Sequence, residues 1–472
     1  MPKLLRDNLD TLRKGLEIQS LPPVFAEAIA FCSKLSINDL WIDALCLIQD
    51  SELDCKSEIE RMGDIYSHAF CNFSATAAIG LPLGLFVDSG IPHHVAFRTT
   101  VQRKDMHVNC YGYSGQALTE LNEEPLMRRG WVLQERLLSP RSIYFGRQLS
   151  WECAELLANQ LFPAGTPSKN RHISWGHNTP FKLKTMLCHD TELAGELIRV
   201  GPETEKRNRI LYQRWLQVVD MYAACNLSFE DDVFPAISGL ARRFNEALDD
   251  VYLAGLWQGD LVRGLMWQTH QDSKPNFSED RAYAYRAPSW SWASVHAKTT
   301  IRYLGLGMAP RQTILITIID ARTTLAGTDS MGQVTNGSIL LSGQVRKRTR
   351  VFLGWVDPVL GANTIIGYRY DDPSYRDQDV PGTTPYLLPV EWVPASEHNI
   401  RQKPGTPKEY CPAMITGLLL KAVSTAEKDT YERIGTFTHP WGEYCSDEQR
   451  QAFPGFHDLD PDHVKRQKIT LV

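Results

Sequence analysis

Three carboxylates in the first third of the chain have the type and setting to do chemistry. Asp43 interrupts the apolar run Asp39-Leu-Trp-Ile-Asp-Ala-Leu-Cys-Leu-Ile48. A charge inside such a run is either paired, with Arg129 or Arg136 the obvious partner, or functional, because an unpaired buried charge is costly. Glu135 lies in the segment Arg128-Arg-Gly-Trp-Val-Leu-Gln-Glu-Arg-Leu-Leu138, beside Trp131. It is either a catalytic acid or one half of a structural pair with Arg129. Asp50 follows the apolar run, at the end of an expected strand where α/β sheets collect ligand-binding groups; it can equally cap the next helix or shape the turn. Trp41 and Trp131 can stack on a flat aromatic ligand or simply fill the core.

Other reactive residue types fit less well. Cys46 sits inside the apolar run with no signature placing a His beside it, so it reads as an inert core thiol. His93, His94 and His107 lie in a Gly-, Pro- and His-rich stretch without acidic partners at ligand spacing, and no metal is expected there. Gly80-Leu-Pro-Leu-Gly84 and Gly305-Leu-Gly307 lack the phosphate-loop Lys-Ser/Thr and the dinucleotide fingerprint. No resident cofactor is implied.

The elements that would position these groups follow from periodicity. Pro22-Pro23 opens a helix over about 23–35, with Phe25, Ala28, Ile29, Cys32 and Leu35 on one face. The apolar run 39–48 is short and bounded by polar residues, which predicts a central parallel strand. Ile59, Met62, Tyr66, Ala69 and Phe70 repeat at helical spacing, and Cys71–Thr76 reads as the next strand. Residues 77–125 look like an insertion of loops and short strands. A short helix then spans 128–138, with strands at Arg141–Phe145 and Leu149–Cys153. The helix–strand alternation predicts an α/β domain over 1–155 with a mostly parallel sheet and flanking helices. Residues 156–202 read as a linker or loop excursion and 203–282 as a helical extension. A β-rich C-terminal region over 283–472 contains expected strands at 314–320, 337–343 and 417–423. Pro288-Ser-Trp-Ser-Trp292 reads as a packing motif between domains.

Composition bounds the partners. The 472 residues are 43% hydrophobic and 10% aromatic, enough for a large core. Lys and Arg total 50 against 55 Asp and Glu, a formal net charge of -5. No basic field draws the chain to nucleic acid or anionic lipid. The charged opening MPKLLRDNLDTLRKGLEIQS lacks a signal-peptide core, and no apolar run reaches the roughly 18 residues of a membrane span. Ten scattered cysteines without Cys-x-x-Cys suit reduced thiols in a cytoplasmic protein.

Two blocks resemble the second and third signature blocks of the fungal heterokaryon incompatibility (HET) domain. The first is Leu40–Asp50 with Met62-Gly-Asp-Ile-Tyr-Ser-His-Ala69; the second is Arg129-Gly-Trp-Val-Leu-Gln-Glu135 ahead of Leu138–Phe145. Asp232–Ala241, Tyr252–Trp257 and Arg286-Ala-Pro-Ser-Trp-Ser-Trp-Ala-Ser294 also resemble the extension of long HET proteins. The family's opening block, a strand reading roughly Tyr-x-Ala-Leu-Ser-Tyr-x-Trp-Gly, has no counterpart here, so the domain is expected to lack its first strand. The resemblance implies an effector of programmed cell death in nonself recognition between fungal cells. It also implies a fold distantly similar to TIR domains, some of which cleave NAD. On that implication NAD is a substrate rather than a cofactor. Glu135, Asp43 and Asp50 are then the catalytic candidates, and Arg129, Trp131 and Trp41 the substrate-binding ones. The alternatives are a non-catalytic module that binds a protein partner in a recognition system, or a scaffold co-opted for biosynthesis or regulation.

Overall fold

The computed structural model describes residues 2–76, 84–86, 100–103, 106–109, 121, 124–146, 148–160, 162–165, 184, 204–270, 285–295, 300–303, 313–347, 355–356, 365–370, 385–393, 396–397, 410–411, 413–423, 428–441 and 466–472. The chain divides into two compact units, one formed by residues 1–214, 225–227 and 235–244, the other by 215–224, 228–234 and 245–472.

The first unit opens with α1 (Leu9–Arg13), α2 (Pro23–Lys34), α3 (Asp43–Cys46) and α4 (Glu52–His68). Proline at the first helical position starts α2, which buries Phe25, Ala28 and Cys32 at the expected spacing. Then come β1 (Asn72–Ser74) and a hairpin of β2 (Thr100–Arg103) and β3 (Met106–Asn109). A 3-10 turn at Pro125–Arg128 leads into α5 (Gly130–Leu138), followed by β4 (Arg141–Phe145), β5 (Leu149–Cys153) and β6 (Leu157–Asn159). The four-stranded sheet runs in the order β1-β4-β5-β6.

Two expectations fail here. The run Asp39–Ile48 is not a central strand: its middle is the single-turn helix α3. Its apolar side chains are satisfied without a ladder, since Ala44, Ile42 and Leu45 pack with Leu21 and Phe25 under α2. Its backbone bonds elsewhere: Leu4 N–H donates to the Ala44 carbonyl (2.8 Å), and Gln49 N–H to the Leu4 carbonyl (2.9 Å). A short apolar run fits a buried strand and a buried helical turn equally well, and the backbone bonds decide. The second correction concerns the sheet, which is not mostly parallel. Only β1 and β4 are parallel, while β4–β5 and β5–β6 are antiparallel. Connections of three residues permit hairpins but not crossovers.

Two helices, α6 (Thr204–Ala223) and α7 (Pro235–Leu248), contribute residues to both units. Gly239 on α7 meets Gly63 on α4 backbone to backbone: a Cβ built on either glycine would lie under 3 Å from the other's Cα. The remaining part of the chain holds β7 (Tyr252–Leu253), β8 (Leu256–Trp257), α8 (Leu261–Gly264), β9 (Trp267–His270) and β10 (Thr300–Tyr303). Next are β11 (Thr313–Ile314), β12 (Thr317–Leu325), β13 (Val334–Gly343), β14 (Arg346–Lys347), β15 (Trp355–Val356) and β16 (Ile365–Tyr370). The last are β17 (Tyr386–Val393), β18 (Ser396–Glu397), β19 (Tyr410–Cys411), β20 (Ala413–Ala422), β21 (Thr430–Trp441) and β22 (Gln467–Leu471). A nearly closed ten-stranded sheet follows the order β11-β17-β20-β21-β22-β13-β12, with β14 on β17, β16 on β21 and β15 on β16.

The Pro288–Trp292 motif lies in the second unit, where Trp292 meets the rings of Tyr222 and Phe234 and Ser289 bonds to Arg433 and Val472. Trp290 and Trp292 are buried, and Trp292 Nε1 and Trp215 Nε1 both donate to the Gly255 carbonyl (3.0 and 2.9 Å). Gly255 has φ +92°, and a side chain there would overlap the Trp292 indole, so glycine is required twice over. Most of the expected 156–202 excursion, and His93 and His94, lie outside the described residues.

Candidate functional site

Helices α4 and α5 pack against each other, and their facing residues create an ionisable cluster in the first unit. Glu135 is on α5, one turn before its C-terminal end. Tyr66 is on the last turns of α4, and its hydroxyl lies in hydrogen-bonding reach of the Glu135 carboxyl. Arg129 is the residue at which α5 begins, with its backbone bridged in parallel to Asn226. Asp43, at the start of α3, contributes a second negative charge. Trp41 meets the Tyr66 ring edge to face, with centroids 5.8 Å apart.

The electrostatics follow from burial and neighbours. Glu135 is half-buried, with its carboxyl enclosed by protein. Desolvation pushes its pKa up to about 7; the Tyr66 hydrogen bond and the Arg129 charge oppose the rise, and Asp43 adds to it. Burial, with Glu135 and Asp43 behind it, holds the Tyr66 hydroxyl protonated far above the usual tyrosine range. The cluster is therefore an acid that exchanges its proton near neutrality beside a permanent hydroxyl donor and a guanidinium. Such an acid suits general acid–base work, for which efficiency peaks when the pKa is near the working pH.

The sequence candidates separate accordingly. Glu135, Asp43 and Arg129 come together, and Trp41 joins them through Tyr66. Asp43 is exposed rather than buried, and its Oδ1 accepts from the N–H of Ala44 (2.7 Å). It is not paired with Arg136. That arginine is buried and gives a two-pronged bond to Glu152, Nε to Oε2 at 2.8 Å and Nη2 to Oε1 at 3.1 Å. Tyr144 donates to the same Glu152 oxygen (2.5 Å), and Lys184 Nζ donates to the Arg136 carbonyl and to Ser142 Oγ, both at 3.0 Å. Burial raises the Glu152 pKa, but the charges of Arg136 and Lys184 outweigh it and keep the group ionised. This network ties α5 to β4 and β5 and is buried.

Asp50 stands apart from the Glu135 cluster. Its Oδ1 accepts from the N–H of Arg6 (3.0 Å), so it anchors the N-terminal segment and does not cap α4. Trp131, on the first turn of α5, is half-buried. Cys46 is exposed on α3, contrary to the core thiol expected, because the strand that would have buried it is not formed. Tyr66 is the residue that sequence reasoning used only as a helix-face marker; its place beside Glu135 depends on how α4 and α5 cross. Among the described residues no group of three or more His, Cys, Asp or Glu could hold a metal ion.

An α/β domain whose helices enclose an acid titrating near neutrality is the class that this geometry defines. Residues 4–135 match the family model described as heterokaryon incompatibility protein (HET), which supports over this part of the chain the resemblance read from the sequence. The match starts at Leu4, includes α1 to α4, and ends at Glu135. No curated protein and no solved structure matches the chain.

Proposed function

We propose that the chain is an effector of fungal nonself recognition that triggers cell death by cleaving NAD, with Glu135 as its central acid. The observation that carries this reading is the Glu135 carboxyl, held at a pKa of about 7 beside Tyr66, Arg129 and Asp43. In the reaction the N-glycosidic bond between nicotinamide and ribose breaks, and nicotinamide leaves with the bonding electron pair. Water adds to the ribose carbon, giving ADP-ribose, and gives up a proton that Glu135 can accept. Carboxylates nearby stabilise the oxocarbenium-like state, as in glycoside cleavage. Arg129 is suited to a phosphate and Trp41 to a flat ring. A distant TIR-like relationship is part of the reading; it is supported by the parallel pair β1 and β4 with α5 between them in sequence. So is a cytoplasmic site of action without nucleic acid; among the described residues no helix is long and apolar enough to cross a membrane.

The test is total NAD, chromatographed from yeast extracts after induced expression of the chain, of Glu135→Ala and of Glu135→Gln, with growth followed in parallel. NAD should fall and growth stop only with the unmodified chain. NAD that holds steady for all three at matched soluble levels would end the enzymatic reading.

A second reading, a non-catalytic module for a protein partner, is favoured by apolar side chains on the surface of the first unit. Ile18, Leu35, Leu53, Phe70 and Phe86 are all exposed, Leu53 at 80%. Under it, growth arrest persists with Glu135→Ala and is lost when Leu53 or Phe70 is changed to a charged residue.

A further inference from the structure

The second unit contains a carboxyl group for which the proposed function has no use. Glu391, on β17, is 3% exposed. Its Oε2 receives one long hydrogen bond, 3.4 Å, from Thr416 Oγ1, and among the described residues its Oε1 has no partner. An ionised carboxylate so poorly solvated is strongly disfavoured, so the site prefers the neutral acid.

The backbone turns this residue inward. β17 pairs with β20 in regular register from Tyr386–Leu420 to Pro389–Gly417, then skips Val390 so that Glu391 faces Thr416. Without the extra residue, strand alternation would set Val390 opposite Thr416 and move Glu391 to the other face of the sheet. The bulge instead aims Glu391 onto the face shared by Leu388 and its partner Leu418, both fully buried. Its cross-strand neighbours are Thr416 on β20 and Ile314 on β11, with Thr438 beyond Thr416 on β21. None of these carries a charge, and among the described residues no charged group acts on its titration. Burial, opposed only by the Thr416 hydrogen bond, raises its pKa to about 7.

We propose that Glu391 is a proton-operated latch in the C-terminal sheet: as the neutral acid it lets the sheet stay closed around it, and on ionising it drives β11 to peel away and admit water. β11 is the element that yields because it is two residues long and ends the strand order. It is held to β17 by the pairs Thr313–Trp392 and Ile314–Glu391, with the Leu315 N–H donating to the Val390 carbonyl just beyond. Peeling β11 hydrates Glu391 while the long β20–β21 ladder stays intact.

Amide hydrogen exchange on the full chain tests this. Protection factors, from which the intrinsic pH dependence of exchange has been divided out, are measured for β11 and β17 at pH 5 and pH 8. The opening equilibrium should rise on the order of 50-fold across that range in the unmodified chain, from the difference between an exposed and a buried glutamic acid. In Glu391→Gln, which keeps the shape and cannot ionise, it should not change. A pH-independent protection factor in the unmodified chain overturns the proposal, as does an equal rise in the variant. Should Glu391→Gln not fold, infrared spectroscopy of Glu135→Gln supplies the answer. A protonated-carboxyl band that disappears with a midpoint near pH 7 supports the latch, and its absence at pH 5.5 overturns it. Neither readout involves NAD, so this inference stands or falls separately from the proposed function.

Discussion

If Glu135 is an acid kept for chemistry, replacing it should make the protein more stable above neutral pH. A carboxyl displaced from its ordinary 4.5 to about 7 binds its proton more tightly in the folded chain than in the unfolded one. Below pH 4.5 both states are protonated and nothing is lost. Between pH 4.5 and 7 the unfolded state releases its proton first, so stability falls with rising pH, and above 7 the whole penalty applies. At about 1.4 kcal/mol per pH unit the penalty is about 3 kcal/mol, reduced to roughly 2 kcal/mol by water at the rim of this half-buried group. Glu135→Gln keeps the size and cannot ionise. The weakened bond to Tyr66 returns about 1 kcal/mol of the gain, so the variant should be more stable than the unmodified chain by about 1 kcal/mol at pH 8. At pH 4.5 it should be equal or slightly weaker. Urea denaturation at both pH values and fixed ionic strength measures this, and the difference between the two proteins cancels the contribution of Glu391. A variant less stable at pH 8 would refute the reasoning: the Arg129–Glu135 attraction would then outweigh desolvation, and the cluster would be a structural pair.

Three further outcomes follow from the same structure. Arg136→Met strands the buried Glu152 charge and should cost about 3–5 kcal/mol, whereas the double change with Glu152→Leu should recover much of it; denaturation of both proteins checks the order. Tyr66→Phe removes the donor that lowers the Glu135 pKa, so the Glu135 midpoint should move above 7 when followed by infrared titration in Glu391→Gln. Gly255→Ala adds a methyl against the Trp292 indole at a backbone angle suited to glycine and should cost about 2 kcal/mol or more, visible as an earlier urea transition followed by tryptophan fluorescence.

What the sequence reveals of this fold depends on whether an element is specified locally. α2 is legible because Pro22, Pro23 and the Phe25–Ala28–Cys32 spacing lie within one helix. β4 and β5 match their expected limits because alternation and a tight turn are also local. The segment 39–48 is misread because apolarity states only that it is buried. Its backbone closes a local helical turn and accepts at Ala44 from Leu4, forty residues away, a tie that no pattern within the run encodes. The expected strand 314–320 fails for a related reason: it is broken into β11 and β12, which pair with different neighbours on opposite ends of the strand order.

The ionisable residues show the same division between what is local and what packing decides. Glu135 is noticeable from sequence because it lies beside a tryptophan and an arginine in a helix, but whether it is an acid or an anion depends on the crossing of α4 and α5. Gly63 of α4 meets Gly239 of α7, 176 positions away, and the Gly239 N–H donates to Gln134 Oε1 of α5 (3.1 Å), so α7 touches both helices through contacts that no motif encodes. The rotation of α5 about its own axis selects which of two adjacent residues meets a partner on the sheet. Arg136 turns toward Glu152 and is locked in an ion pair, while Glu135 turns toward Tyr66 and keeps an exchangeable proton. A one-residue rotation of α5 would exchange those environments, burying the acid against Glu152 and freeing the guanidinium. The face that α5 turns toward α4 is thus what places Glu135, rather than its neighbour, beside Tyr66.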